Sequence, residues 1–226
     1  MNGNTATAGS RKRMMFICLQ LSFWAAFAAI NFTVVFLRDR GFGNTTIGLI
    51  VSINAVIGIF AQPLWGIISD RIRSIKKVFL FCFAGSSIFF ILLPLIHSTA
   101  LMVVILAVDT FFKCCLISLL DSWIVSSIAD DESINYGSLR LWGSIGFALM
   151  AYVFGKVSYI LSVDVIFPIF AVLALLAVVV CSRIETTTAV YNSVRFKDLK
   201  VGSLFGNFYY PAFLVFAFLM NLPNSP

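Results

Sequence analysis

The chain has 226 residues, of which 60% are hydrophobic and only 12% charged, with a formal net charge of +6. An ordinary soluble domain carries about 45–50% apolar and about 25% charged residues. This chain has too little polar surface to cover its apolar side chains in water, and a bilayer is the solvent that fits. The basic residues sit in short clusters between apolar runs, as in loops that orient membrane helices, which argues against nucleic acid as a partner.

Met1 to Ser10 is polar and has neither an apolar core nor a small-residue cleavage site, so insertion is expected to begin with a retained first helix. Apolar stretches follow at Met14 to Leu37, Thr46 to Ile68, Val78 to Ile96, Ala100 to Ile128, Tyr136 to Ile160 and Val165 to Cys181. Each approaches the length a tilted helix needs to cross a bilayer. The expected fold class is therefore all-α, a polytopic transmembrane helix bundle of six spans over residues 1–181. Residues 182–207 read as a cytoplasmic central linker. Residues 208–226 read as the start of a seventh helix cut short, so the chain is expected to be a fragment of a longer protein.

Arg11, Lys12, Arg13, Arg71, Arg73, Lys76, Lys77, Arg183, Arg195, Lys197 and Lys200 all fall on one side of this topology, against Arg38, Arg40 and Lys156 on the other. The positive-inside rule then predicts a multi-pass protein of the cell membrane with a cytoplasmic amino terminus. The five cysteines lie inside apolar segments without metal-ligand spacing and read as packing residues.

Ionisable groups inside a bilayer are expensive and therefore candidates for function. The fourth span holds Asp109, Lys113 and Asp121. At about 100° per residue, Lys113 lies about 40° and Asp121 about 120° from Asp109, so all three can face one side of a bundle. Asp109 and Lys113 form an i,i+4 pair with the acid first, the favourable order. Two readings stay open for them: a structural pair that braces the helix, or side chains lining a cavity. Asp121 lies nearer the cytoplasmic end, and Arg140 enters about one turn into the fifth span. A carboxylate facing a guanidinium in a low-dielectric cavity can hydrogen-bond a polar solute and can be broken and remade as access changes. In the first span Gln20, Ser22, Asn31 and Thr33 offer hydrogen bonds to a cavity or to another helix. Gly143, Ser144, Gly146, Ala148, Ala151 and Gly155 form a small-residue stripe that permits close helix packing.

The second span ends Gln62-Pro63-Leu64-Trp65-Gly66-Ile67-Ile68-Ser69-Asp70-Arg71, followed by Lys76-Lys77. This resembles the loop signature of the major facilitator superfamily, although Arg73 and Ser74 stand where a glycine usually follows the Asp-Arg pair. The run Tyr136-Gly137-Ser138-Leu139-Arg140-Leu141-Trp142-Gly143-Ser144-Ile145-Gly146-Phe147 resembles the fifth-helix entry of the lactose permease group of oligosaccharide, nucleoside and phenylpropionate proton symporters. The resemblance implies a six-helix half of a twelve-helix fold. It implies a gate formed by Gly66, Asp70, Arg71, Lys76 and Lys77. It also implies substrate contact by Arg140 with a fourth-helix carboxylate, Asp121 after a one-residue shift from the literal match Ser122. The stacking aromatic of that group falls on Phe147.

The combined expectation is a secondary transporter that takes up a small polar or anionic solute (a sugar, nucleoside or aromatic acid) by alternating access, coupled to protons. Asp121, Arg140, Phe147, Lys113, Asp109 and Asn31 would contact the substrate. No catalytic grouping, phosphate loop or metal cluster is visible, so an enzyme is not expected and no cofactor beyond the coupling proton is implied. The expected partners are the lipid bilayer and the small-molecule substrate, with a monomer once full length. An exporter of drugs or metabolites, or a non-transporting receptor or scaffold, are the alternatives.

Overall fold

The computed structural model describes residues 3–129 and 134–184, together with Pro211 and Phe216. Among them every regular element is helical: α1 (Gly3–Ile30), α2 (Thr33–Asp39), α3 (Asn44–Ile72), α4 (Ile75–Leu92), α5 (Thr99–Lys113), α6 (Leu116–Ile128), α7 (Tyr136–Ile160) and α8 (Ile166–Arg183), with short 3-10 turns at Leu93–Leu95 and Val163–Val165. Six segments are long and apolar enough to cross a membrane: Ser10–Asp39, Asn44–Ile72, Ile75–Leu95, Thr99–Ile128, Tyr136–Ile160 and Val163–Arg183. The six expected spans are therefore present, several of them extended at one or both ends by about a turn or less. Polar residues such as Asn44, Arg71 and Arg183 continue the helices beyond the apolar core, where backbone hydrogen bonds cost nothing to keep. All six spans belong to one unit, Met1–Ala189. The expected linker beyond Ile184 and the seventh helix lie outside the described residues, apart from Pro211 and Phe216.

Two spans are broken, and neither break was visible in the apolar pattern. The first span turns at Asn31 and Phe32 between α1 and α2, and Thr33 Oγ1 donates to the Ile30 carbonyl at 2.6 Å. The fourth span breaks at Cys114 and Cys115 between α5 and α6. No proline or glycine sits there, so propensity does not explain it. Support comes from the second span. The Trp65 indole N–H donates to the Phe111 carbonyl at 2.8 Å, and Gln62 Nε2 donates to Ser118 Oγ at 3.1 Å. One helix thus holds both sides of the break. Replacing Trp65 by Phe keeps the ring and removes the donor, leaving the Phe111 carbonyl without its indole partner. The expected loss is about 1 kcal/mol, read as a lower thermal midpoint in detergent. An unchanged midpoint would show that the break stands without this bond.

The core is aromatic. Phe23 of α1 meets Phe79 and Phe83 of α4 at centroid distances of 5.6 and 5.5 Å, and Trp123 of α6 closes the group on Phe79 at 6.1 Å and on Phe16 at 5.8 Å. These rings lock α1, α4 and α6 together, which fixes where Gln20, Trp24 and Asp121 stand. At one end of the bundle, Arg40 Nη2 lies 3.2 Å from Asp164 Oδ1 and donates to the Pro94 carbonyl at 3.0 Å, tying the ends of the first and third spans to the start of the sixth. At the other end, Lys76 Nζ donates to the carbonyls of Ser182, at 3.2 Å, and Ile184. A cation on the last carbonyls of α8 matches the negative end of its macrodipole.

Candidate functional site

The fifth span meets the first through α7 and α1, and glycine makes that approach possible. A Cβ on Gly146 would stand 2.8 Å from the Leu21 carbonyl oxygen, and one on Gly143 would stand 2.6 Å from Trp24 Cδ1 and 2.8 Å from Gln20 Oε1. With no side chain at either position, α7 lies directly on α1. Arg140, one turn before Gly143 on α7, reaches across to Trp24, its guanidinium carbon 3.9 Å from the ring centroid. Cation–π packing of this kind is strongest for a tryptophan away from water. Phe147, one turn after Gly143, sets its ring edge-on to Trp24 at 6.2 Å.

Asp121 faces this group from α6. Tyr136, at the start of α7, stands near enough to both Asp121 and Arg140 for their charges to act on its hydroxyl. Asp121 and Arg140 do not form an ion pair within 4 Å. Among the described residues the pairs at that range are Arg40 with Asp164 and Lys113 with Asp109. The structure therefore sets Arg140 and Phe147 against Trp24 and brings Asp121 and Arg140 both near Tyr136, without pairing acid and base directly. Buried atoms there lack partners: both polar atoms of the Gln20 amide, Trp24 Nε1 and Asp121 Oδ1.

The remaining candidates lie elsewhere. Asp109 is fully buried and accepts from Ser86 Oγ and from Lys113 Nζ, each at 2.6 Å. This is the i,i+4 pair read from spacing, with a third member, Ser86 of α4, that spacing does not reveal. Twelve residues of the fourth span separate it from Asp121, about 18 Å along a helix axis. Asn31 occupies the exposed turn between α1 and α2, about 16 Å along the axis from Gln20.

Of the expected gate residues, Gly66 has no atom within 4 Å of where a Cβ would stand, and Asp70, Arg71 and Lys77 are exposed. Arg73 takes the left-handed conformation (φ 53°) that ends α3, a position glycine usually fills. Ser74 caps α4, its hydroxyl accepting from the Lys77 backbone N–H at 3.4 Å. Lys76 is engaged with the end of α8. Trp24 and Tyr136 were not singled out from sequence as site residues. A pointer to Trp24 was available in its place one turn after Gln20 on the first span.

Six apolar helices long enough to span a bilayer, with polar residues packed inside the bundle, define a polytopic helical membrane protein. Residues 14–225 match the model of the MFS_1 like family, and the chain belongs to that family. It is 29% identical over 178 residues to a maltose permease of Geobacillus stearothermophilus, covering 78% of this chain and 45% of that permease. It is 28% identical over 192 residues to the uncharacterized transporter YwbF of Bacillus subtilis (strain 168), covering 83% of this chain and 47% of that protein. The fold is also that of the nucleoside transporter NupG, with a TM-score of 0.73 over 93% of this chain and 54% of NupG at 18% identity. The chain spans about half the length of the curated relatives it matches. These relatives are transporters, in keeping with a protein that is not an enzyme.

Proposed function

We propose that the protein is a secondary transporter that takes up a small polar or anionic solute, a sugar, nucleoside or aromatic acid, by alternating access coupled to protons. The six spans described form one half of the carrier, in the cell membrane with the amino terminus in the cytoplasm. The observation that carries the reading is the half-buried group of Asp121, Tyr136 and Arg140, with Arg140 lying on the buried ring of Trp24 and polar atoms beside it left unpartnered. Desolvated donors and acceptors without partners are unfavourable, and a solute that supplies partners recovers that free energy. The maltose permease and the nucleoside transporter among the similar proteins favour a solute with ring hydroxyls. Arg140 would hold the solute as a planar fork, Asp121 would accept from it, and Trp24 and Phe147 would form its aromatic wall. The Gly66 to Lys77 region would gate the inner face, and no cofactor beyond the proton is proposed.

The test is uptake by cells expressing the complete gene. Radiolabelled maltose, uridine and phenylpropionate are supplied with and without a protonophore. Accumulation that collapses with the proton gradient is expected for at least one of them. Uptake no higher than in empty-vector cells, or extrusion of a dye instead, would overturn the reading. Arg140→Lys is expected to raise KM by about tenfold or more, because Lys keeps the charge but loses both the fork and the flat face that lies on Trp24. A scaffold that needs only the charge would tolerate the change.

A further inference from the structure

Two polar side chains of α1, Ser22 and Gln20, are buried, and Ser22 is accounted for within the helix. Ser22 Oγ donates to the Cys18 carbonyl at 2.7 Å and approaches that of Leu19 at 3.2 Å. Gln20 is the exception. It is wholly buried, and neither its amide nitrogen nor its amide oxygen has a partner. One turn on, the Trp24 indole N–H is also without one. Both point to the same spot, since Gln20 Oε1 lies 2.8 Å and Trp24 Nε1 3.0 Å from the position a Cβ on Gly143 would occupy. The missing side chain at Gly143 lets both groups pack against the α7 backbone, where they are covered by protein but hydrogen-bonded to none of it. A buried Gln serving only as filler would be better replaced by Met, which matches its shape without polar atoms to desolvate.

We infer that Gln20 and the Trp24 indole N–H are a specificity-determining pair that reads neighbouring hydroxyl groups of a neutral solute. This rests on the transport reading and narrows it. The amide supplies a donor and an acceptor and the indole a second donor. A hydroxyl is the group that donates and accepts at once, so adjacent ring hydroxyls satisfy such a set. An aromatic acid, whose carboxylate only accepts, can serve Gln20 Nε2 but leaves Oε1 without a donor. Gln20 bears no charge, so an anionic solute gains nothing from it. Free sugars and the ribose of nucleosides share the required chemistry.

The experiment compares wild type, Gln20→Met and Trp24→Phe in the complete transporter. It measures KM and maximal rate for maltose, uridine, deoxyuridine and phenylpropionate, with thermal midpoints in detergent. Gln20→Met is expected to keep or raise the midpoint and to raise KM for the hydroxyl-bearing solute by about tenfold to hundredfold. It should also erase any preference for uridine over deoxyuridine. Trp24→Phe keeps the ring under Arg140 and is expected to raise KM by about fivefold to tenfold. A maltose effect without a uridine effect assigns the pair to free sugars, and the reverse assigns it to ribose. Gln20→Met with KM within about twofold of wild type overturns the assignment while transport stands, as does uptake of phenylpropionate alone. If Gln20→Met does not accumulate in the membrane, an unchanged KM in Trp24→Phe overturns it. A wild type that carries none of these solutes removes the transport reading and this inference with it.

Discussion

Gly146→Ala lowers the thermal midpoint of the protein sharply, with an expected destabilisation of about 2–3 kcal/mol, while the same exchange at Gly66 or Gly155 leaves it unchanged or slightly raised. The difference lies in what the new methyl group meets. At Gly146 it would stand 2.8 Å from the Leu21 carbonyl oxygen and 3.2 Å from Leu21 Cα, both backbone atoms of α1. Backbone cannot rotate away, so α7 and α1 must separate, and overpacking of that kind costs about 1–3 kcal/mol. Separation also undoes the approach of Arg140 to Trp24 one to two turns away, which places the effect at the upper end. At Gly155 the methyl would meet only Phe32 Cζ at 4.0 Å, and at Gly66 it would meet nothing within 4 Å. There the exchange removes glycine's helix penalty of about 1 kcal/mol and adds no clash. Melting curves of the three variants in the same detergent check this. If Gly146→Ala melts with the other two, the close contact of the first and fifth spans is not what holds them.

How much of this was legible in advance depends on the range of the interaction. The six spans follow from the bilayer alone, because a helix crossing it needs about 20 apolar residues whatever its neighbours do. The Asp109–Lys113 pair follows from helical spacing, since residues four apart meet on one face. The breaks at Asn31 and Cys114 do not follow, because neither contains proline or glycine and the second is supported by Trp65 from another span. Arg140 shows the limit most clearly. Charge alone directs it to Asp121, but the guanidinium lies on the ring of Trp24, which belongs to a helix over a hundred residues earlier in the chain. Desolvation explains the outcome: a planar, weakly hydrated cation gains from an aromatic face that is itself buried. Pairwise packing between distant spans carries no local pattern, so the glycines at 143 and 146 announced a close approach without naming α1 as the partner.

Asp109→Ala is the second large effect expected. The carboxylate is fully buried and receives the Lys113 ammonium and the Ser86 hydroxyl, each at 2.6 Å. Removing it leaves a cation inside the bundle without a counterion and a buried hydroxyl without an acceptor, which together cost about 3–5 kcal/mol. The Lys113 side chain is 18% exposed, so its ammonium keeps some access to water and the loss falls toward the lower figure. The double replacement Asp109→Ala with Lys113→Met removes both charges and restores most of the stability, because the penalty belongs to the stranded partner rather than to the absence of a bond. Thermal midpoints of the two variants measure the difference, and equal midpoints would show that Lys113 does not depend on Asp109. The double variant also separates the two roles the pair admits. If it folds and transports with an unchanged KM, Asp109 and Lys113 brace α5 against Ser86 on α4. If it folds and loses transport, the buried pair belongs to the carrier's working surface despite lying about 18 Å along the span from Asp121.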